Sequence, residues 1–268
     1  MTWQAIAVFD IDGVIRDVGG SYRRALADTV EHFTQGAYRP SPQAIDTLKA
    51  EGIWNNDWEG AQELVYRHFE GQGQDRTTVA LEFDALVDFF QRRYRGPNLS
   101  DPSQWTGYIT QEPLLVQADY FTALTAAQVA WGFFSGATRG SAQYVLERRL
   151  GLAHPVLVAM EDAPGKPDPT GLFQVVDALA ATGVTVPVIY AGDTVADMET
   201  IRQARQQRPQ VDWLAVGIVP PHVNNSDAAY RDRYCQTLRQ AGADTVLFKL
   251  TQLTGDRIQA LGRVITQR

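Results

Sequence analysis

The run Ala5-Ile6-Ala7-Val8-Phe9-Asp10-Ile11-Asp12-Gly13-Val14 limits the fold more than any other stretch of the chain. Near-continuous apolar residues that end on Asp and Gly predict a buried parallel strand. Such a strand delivers Asp10 and Asp12 to its carboxyl end, the edge at which open α/β sheets bind their ligands.

The rest of the chain predicts two kinds of structure. From Ser21 to about Arg95 only helical spacing is found: Leu26, Val30 and Phe33 share one helix face, and Ser41-Pro42 is a serine cap followed by proline at the first helical position. Further helices are expected near Trp58 to Phe69 and Thr77 to Tyr94. Turn residues from Gly96 to Pro102 mark the return.

From about Pro113 helices and strands alternate. Helices are expected over Leu114 to Ala126, Ser141 to Leu150, Thr170 to Ala181, Met198 to Gln206, Arg231 to Ala241 and Leu250 to Ile265. Strands are expected at Val129 to Phe134, Pro155 to Met160, Val186 to Ala191 and Trp213 to Gly217, with a short one at Thr245 to Phe248. This rhythm predicts an α/β fold, a Rossmann-like doubly wound parallel sheet. Residues 1–17 and 106–268 form its core, and 18–105 an all-helical insertion.

Composition narrows the partners. A formal charge of −7 and a pI near 5.1 argue against nucleic acid or an anionic membrane surface. No apolar run approaches the ~20 residues of a membrane helix. The single cysteine, Cys235, cannot form an internal disulfide. The start Met-Thr-Trp-Gln leads into strand-like sequence without a basic leader. The expectation is a cytoplasmic protein, monomer or homodimer. His32, His68, His154 and His222 have no metal-ligand spacing and read as surface or packing residues.

Three polar clusters follow later apolar runs: Ser135-Gly136, Lys166 between Pro164 and Pro167, and Gly192-Asp193 with Asp197. Together with Asp10 and Asp12 they match the needs of displacement at phosphorus by an enzyme carboxylate. Asp10 is the candidate nucleophile. Asp12 is placed to protonate the leaving alkoxide and then deprotonate water. Asp193 gives an oxygen-rich site that favours Mg²⁺, and Asp197 is four residues further on. Ser135 and the amide of Gly136 offer phosphate donors, and Lys166 supplies positive charge. Each cluster has a plainer reading as a turn, a solvated loop or a helix cap. Their shared edge makes that reading weak for all of them at once.

Phe9-Asp10-Ile11-Asp12-Gly13-Val14, Ser135-Gly136, Gly165-Lys166-Pro167-Asp168-Pro169 and Gly192-Asp193-Thr194-Val195-Ala196-Asp197 resemble the four motifs of the haloacid dehalogenase (HAD) superfamily. The helical insertion is similar to the C1 cap of its phosphoglycolate-phosphatase-like subfamily. The resemblance implies Mg²⁺ dependence and a phospho-aspartyl intermediate on Asp10. It also implies that Asp12 lends its backbone carbonyl to the metal, that Asp193 is a direct ligand, and that Asp197 is a ligand or stands behind one. Gly136 departs from the usual Asn of the second motif, and Thr138 or Arg139 is the candidate substitute. An acid at Asp12 points to phosphate esters, because dehalogenating and phosphonate-cleaving members lack it.

In the insertion, the loop from Lys49 to Trp58 gathers Lys49, Asn55, Asn56 and Asp57, expected to read the leaving group. Its plainer reading is a helix hairpin with local caps. The expected activity is a phosphatase acting on a small phosphorylated metabolite. The alternatives are a phosphomutase of the same fold and a non-catalytic binding module.

Overall fold

The fold is described from a computed structural model, which covers residues 3–54, 56–180 and 183–265, with side chains to 262. The chain divides into two compact units, one of Met1–Asp17 with Leu114–Arg268 and one of Val18–Pro113. The return from the second unit falls at 113/114, later than the 105/106 expected from turn residues. The short 3-10 turns Pro102–Gln104 and Tyr108–Gln111 belong to the helical unit, and Ser21 Oγ at its start donates 2.6 Å to Glu112 Oε1 near its end.

Strand β1 (Ala5–Phe9) opens the chain and is buried throughout. The helical unit follows with α1 (Tyr22–Phe33), α2 (Pro42–Lys49), α3 (Asp57–Gly71) and α4 (Phe83–Arg95). Tyr22, Phe90 and Tyr94 meet edge-on or tilted in its core. The helix expected from Thr77 starts only at Phe83. Asp75 instead caps a 3-10 turn at Arg76–Thr78 through the amide of Thr77, and the β-branched run Thr77-Thr78-Val79 favours leaving helical geometry.

The α/β unit resumes with α5 (Ala118–Ala126) and β2 (Val129–Phe134). Leu114 and Leu115, expected in a helix, are extended because they pair with Arg16 and Ile15. The order continues with α6 (Arg139–Gln143), β3 (Leu157–Val158), α7 (Thr170–Ala180) and β4 (Val188–Gly192). A π turn, Tyr144–Arg149, extends α6. Then come α8 (Val195–Gln207), β5 (Trp213–Ile218), α9 (Pro221–Asn224), α10 (Ala228–Gln240), β6 (Thr245–Leu247) and α11 (Gly255–Ile265). The short α9 opens on Pro221 at its first helical position.

All six strands are parallel, in the order β3-β2-β1-β4-β5-β6. Alternation along β1 decides the two faces of the sheet. Ala5, Ala7 and Phe9 pack with residues of α5, the π turn after α6, and α11, such as Phe121, Leu146 and Ile258. Ile6 and Val8 pack with α7, α8 and α10 through Val175, Ile201 and Leu238. Both faces are covered, so β1 lies at the centre and Asp10 leaves the sheet at its middle. No helix among the described residues is long and apolar enough to cross a membrane.

Candidate active site

Asp10 follows the last residue of β1 and is 6% exposed. The amide of Ile11 donates to its Oδ1 at 2.7 Å, and Lys166 Nζ stands 2.9 Å from its Oδ2. Each oxygen therefore accepts one bond and keeps a second acceptor position. Burial pushes the carboxyl up to about 6, against the pull of Lys166.

Lys166 reaches the centre from the loop before α7. Its ammonium also lies 2.7 Å from Asp197 Oδ1, and it sits over the rings of Phe134 and Tyr190 at 5.3 and 5.4 Å. Burial alone would depress this group, but the carboxylates of Asp10 and Asp197 outweigh it and hold the ammonium above the usual lysine range. The lysine is a fixed charge, not a proton donor.

Asp197 is fully buried and its carboxylate is saturated. Oδ1 accepts from Lys166 and from the Tyr190 hydroxyl at 2.8 Å. Oδ2 accepts from the amide and hydroxyl of Thr194 at 2.9 and 2.7 Å, closing a capping box at the start of α8. Burial would raise this carboxyl; Lys166 and Thr194 hold it low. Gly192 is required here, because a Cβ at that position would stand 2.3 Å from the Cβ of Asp197.

Asp193, at the end of β4, completes the cluster. Carboxylate oxygens of Asp10, Asp193 and Asp197 lie within 4.8 Å of one another. Gly13 lets the first turn approach: its φ is +74°, and a Cβ there would fall 2.1 Å from Asp193 Oδ2. Tyr234 donates to the Asp193 carbonyl at 2.8 Å. Asp12 is more open; Arg16 Nε donates to its Oδ1 at 2.6 Å, with Nη2 2.6 Å from the same oxygen as an ion-pair contact.

Ser135 is buried just after β2, and its hydroxyl accepts from the Ala137 amide at 3.2 Å. Thr138 donates to Ser141 at 3.1 Å. Arg139, a candidate phosphate contact, is turned to Asp162, which also accepts from the Ala159 amide at 2.7 Å. Its neighbour Glu161 accepts from the Arg139 amide at 2.8 Å. The guanidinium thus closes its own loop, a partnership that residue type and order did not reveal.

The loop candidates belong to the helical unit. Lys49 pairs with Asp57 at 2.7 Å, and Asn56 caps α3 by accepting from the Trp58 amide at 3.0 Å. These are the local roles of a helix hairpin. Asn55 lies outside the described residues. Sequence reasoning passed over Arg16, Tyr190 and Thr194. The i to i+4 spacing of Asp12 and Arg16 was the available signal, whereas Tyr190 was hidden among the apolar residues of its strand.

Among Asp10, Asp12, Asp193, Asp197, Lys166 and Arg16 negative charge exceeds positive by two. A surplus of that size at a largely buried edge, with all-oxygen donors, fits a hard divalent cation. Asp197 has no acceptor position left for one, whereas Asp10 keeps a position on each oxygen.

A family model of haloacid dehalogenase-like hydrolases matches residues 5–205. The chain belongs to this family. It is 26% identical over 244 residues, 90% of its length, to a protein of Phytophthora nicotianae named imidazoleglycerol-phosphate dehydratase. The chain spans about half, 49%, of that relative. Among solved structures it resembles a phosphonoacetaldehyde hydrolase-like protein of Oleispira antarctica, with TM-score 0.70, 17% identity, and 100% and 95% of the two chains covered. It also resembles phosphatase Tt82 of Thermococcus thioreducens, with TM-score 0.59, 21% identity, and 79% and 92% covered.

Proposed function

We propose that the protein is a Mg²⁺-dependent phosphatase that hydrolyses a small phosphate monoester through a phospho-aspartyl intermediate on Asp10. The observation that carries this reading is the state of Asp10: a buried carboxylate at the sheet edge, oriented by one amide and one lysine, with an acceptor position open on each oxygen. One oxygen attacks phosphorus, and Lys166 offsets charge between nucleophile and phosphate. Ser135 and the Gly136 amide take non-bridging phosphate oxygens.

Asp10, Asp193 and the Asp12 carbonyl are the groups that would hold Mg²⁺, which lowers repulsion between carboxylate and phosphate when bound. Asp197 acts behind them, fixing Lys166. Asp12 gives a proton to the leaving oxygen and later takes one from water. That role favours phosphate esters over phosphonates, since an alkoxide needs the proton and a carbanion stabilised by a carbonyl does not.

The relative named for imidazoleglycerol phosphate puts imidazole-bearing glycerol phosphates at the head of a substrate screen, with sugar, polyol and carboxylic-acid phosphates behind them. The test is phosphate release from this panel and from p-nitrophenyl phosphate, with Mg²⁺ or with EDTA. Release should require Mg²⁺ and fall about 10³-fold or more in Asp10→Asn. Equal release by Asp10→Asn and wild type would overturn the proposal. Turnover only with a bisphosphate primer, without net phosphate release, would replace it with a mutase.

A further inference from the structure

We propose that Arg16 is the positioning residue for Asp12, anchoring one carboxylate oxygen so that the other alone carries protons to and from the reacting phosphate. This inference rests on the phosphatase reading above and adds a residue to it.

Arg16 is the largest fully buried side chain among the described residues. Its backbone is fixed on two sides. In the turn after Asp10 the Arg16 amide donates to Ile11 O at 3.1 Å, and Arg16 O accepts from the Gly13 amide at 2.9 Å. On the other side Arg16 bridges Leu114, and Leu115 N donates to Ile15 O at 2.8 Å. With this frame closed, the side chain returns by four residues to Asp12.

There Nε donates to Oδ1 at 2.6 Å, and Nη2 stands 2.6 Å from the same oxygen as an ion-pair contact. A guanidinium usually grips both oxygens of a carboxylate side by side. Here only Oδ1 is held, and no other protein group among the described residues binds the Asp12 carboxylate. The guanidinium is 0% exposed and the Asp12 side chain 24% exposed, so the anchor is sealed and the acid is open. Oδ2 is left as the working atom. A lysine would reproduce this less well, since its ammonium rides on a flexible stem whereas the planar guanidinium presents Nε at a fixed angle.

The proton path follows from that division. In the first half-reaction an Asp10 oxygen bonds to phosphorus while the ester P–O bond breaks, and the proton on Asp12 Oδ2 passes to the departing alkoxide. In the second, water oxygen bonds to phosphorus while the Asp10–phosphorus link breaks, and the proton lost by water returns to Oδ2. The same atom serves both steps, so its place must hold through the cycle.

Leaving-group dependence separates positioning from mere support. A nitrophenolate departs without a proton, whereas an alkoxide requires one. The quantity to measure is kcat/KM for the alkyl phosphate turned over fastest in the screen, divided by kcat/KM for p-nitrophenyl phosphate. Arg16→Gln should lower this ratio about tenfold or more, within the range a general acid contributes. Asp12→Asn should lower it likewise, and Arg16→Gln should lower it no further in that background. Where Arg16→Gln does not fold, Arg16→Lys keeps the buried charge and should lower the ratio by a smaller factor. A ratio within about twofold of wild type in the folded Arg16 variants, or independent losses in the double variant, would overturn the role of Arg16. Failure of Asp12→Asn to shift the ratio would instead overturn the acid/base reading, and loss of Mg²⁺-dependent release in wild type the phosphatase itself.

Discussion

The two units spend their charged residues differently. In the helical unit several ion pairs are open to solvent: Arg67 with Glu51, Arg76 with Glu70, Arg39 with Glu31 and Arg92 with Asp88 all leave both partners more than a third exposed. Its core is held by apolar and aromatic contacts such as those of Tyr22, Phe90 and Tyr94. In the α/β unit Asp10, Asp193, Asp197, Lys166 and Arg16 are buried at one sheet edge. Burying charge there costs stability and yields a preorganised site. Charge at those exposed pairs is close to neutral for the fold; at the sheet edge it is interdependent.

Removing Lys166 should break the comparison most visibly if it is wrong. Lys166→Met leaves Asp10 and Asp197 as buried carboxylates without their shared cation, and unpaired buried charge costs about 3–5 kcal/mol. Denaturant unfolding of the metal-free chain should show a loss of that size alongside lost phosphate release. A loss below about 1 kcal/mol would place the pair in the same class as the surface bridges.

A smaller effect is expected from pH. The Asp10 carboxyl is raised in the folded state to about 6 from an ordinary 3.8, so the native protein binds its proton more tightly than the unfolded chain does. The stability this gives is fully present below the unfolded value and is lost as pH rises through about 6. Asp197 is shifted the other way, and its window lies lower. In EDTA, the stability of wild type relative to Asp10→Asn should therefore fall between about pH 4 and pH 6. Added Mg²⁺, which competes with that proton, should stabilise wild type more above this window than within it. A flat difference would remove Asp10 from the buried, proton-binding set.

The smallest effect sharpens the other side. Arg92→Ala removes an exposed i to i+4 pair with Asp88, and unfolding should change by about 0.5 kcal/mol or less. A loss of several kcal/mol would show that the helical unit also depends on its charges.

Much of the frame is legible in the sequence because strand and helix periods are local. The apolar stretch of β1, the Gly192-Asp193 turn and the alternation after Pro113 each announce themselves within ten residues. Partner choice does not. Arg139 stands where a phosphate ligand would be sought, yet it closes a loop with Asp162. Asn56 reads equally as substrate contact or helix cap, and its carbonyl oxygen is on the Trp58 amide. The start of α5 depends on partners in the same way, since Leu114 and Leu115 answer to Arg16 and Ile15, almost a hundred residues away in the chain.

The sequence alone determined that acids would end a central buried strand and that a lysine and two further acids would follow on later ones, because apolar runs and turn residues fix where strands stop. Only the tertiary structure decided what each charge does. Four donors converge on Asp197 and occupy its carboxylate, whereas the Arg16 guanidinium holds one oxygen of Asp12 and leaves the other open. Hydrogen-bond capacity is finite and directional, and which donors consume it depends on distances that no linear spacing encodes.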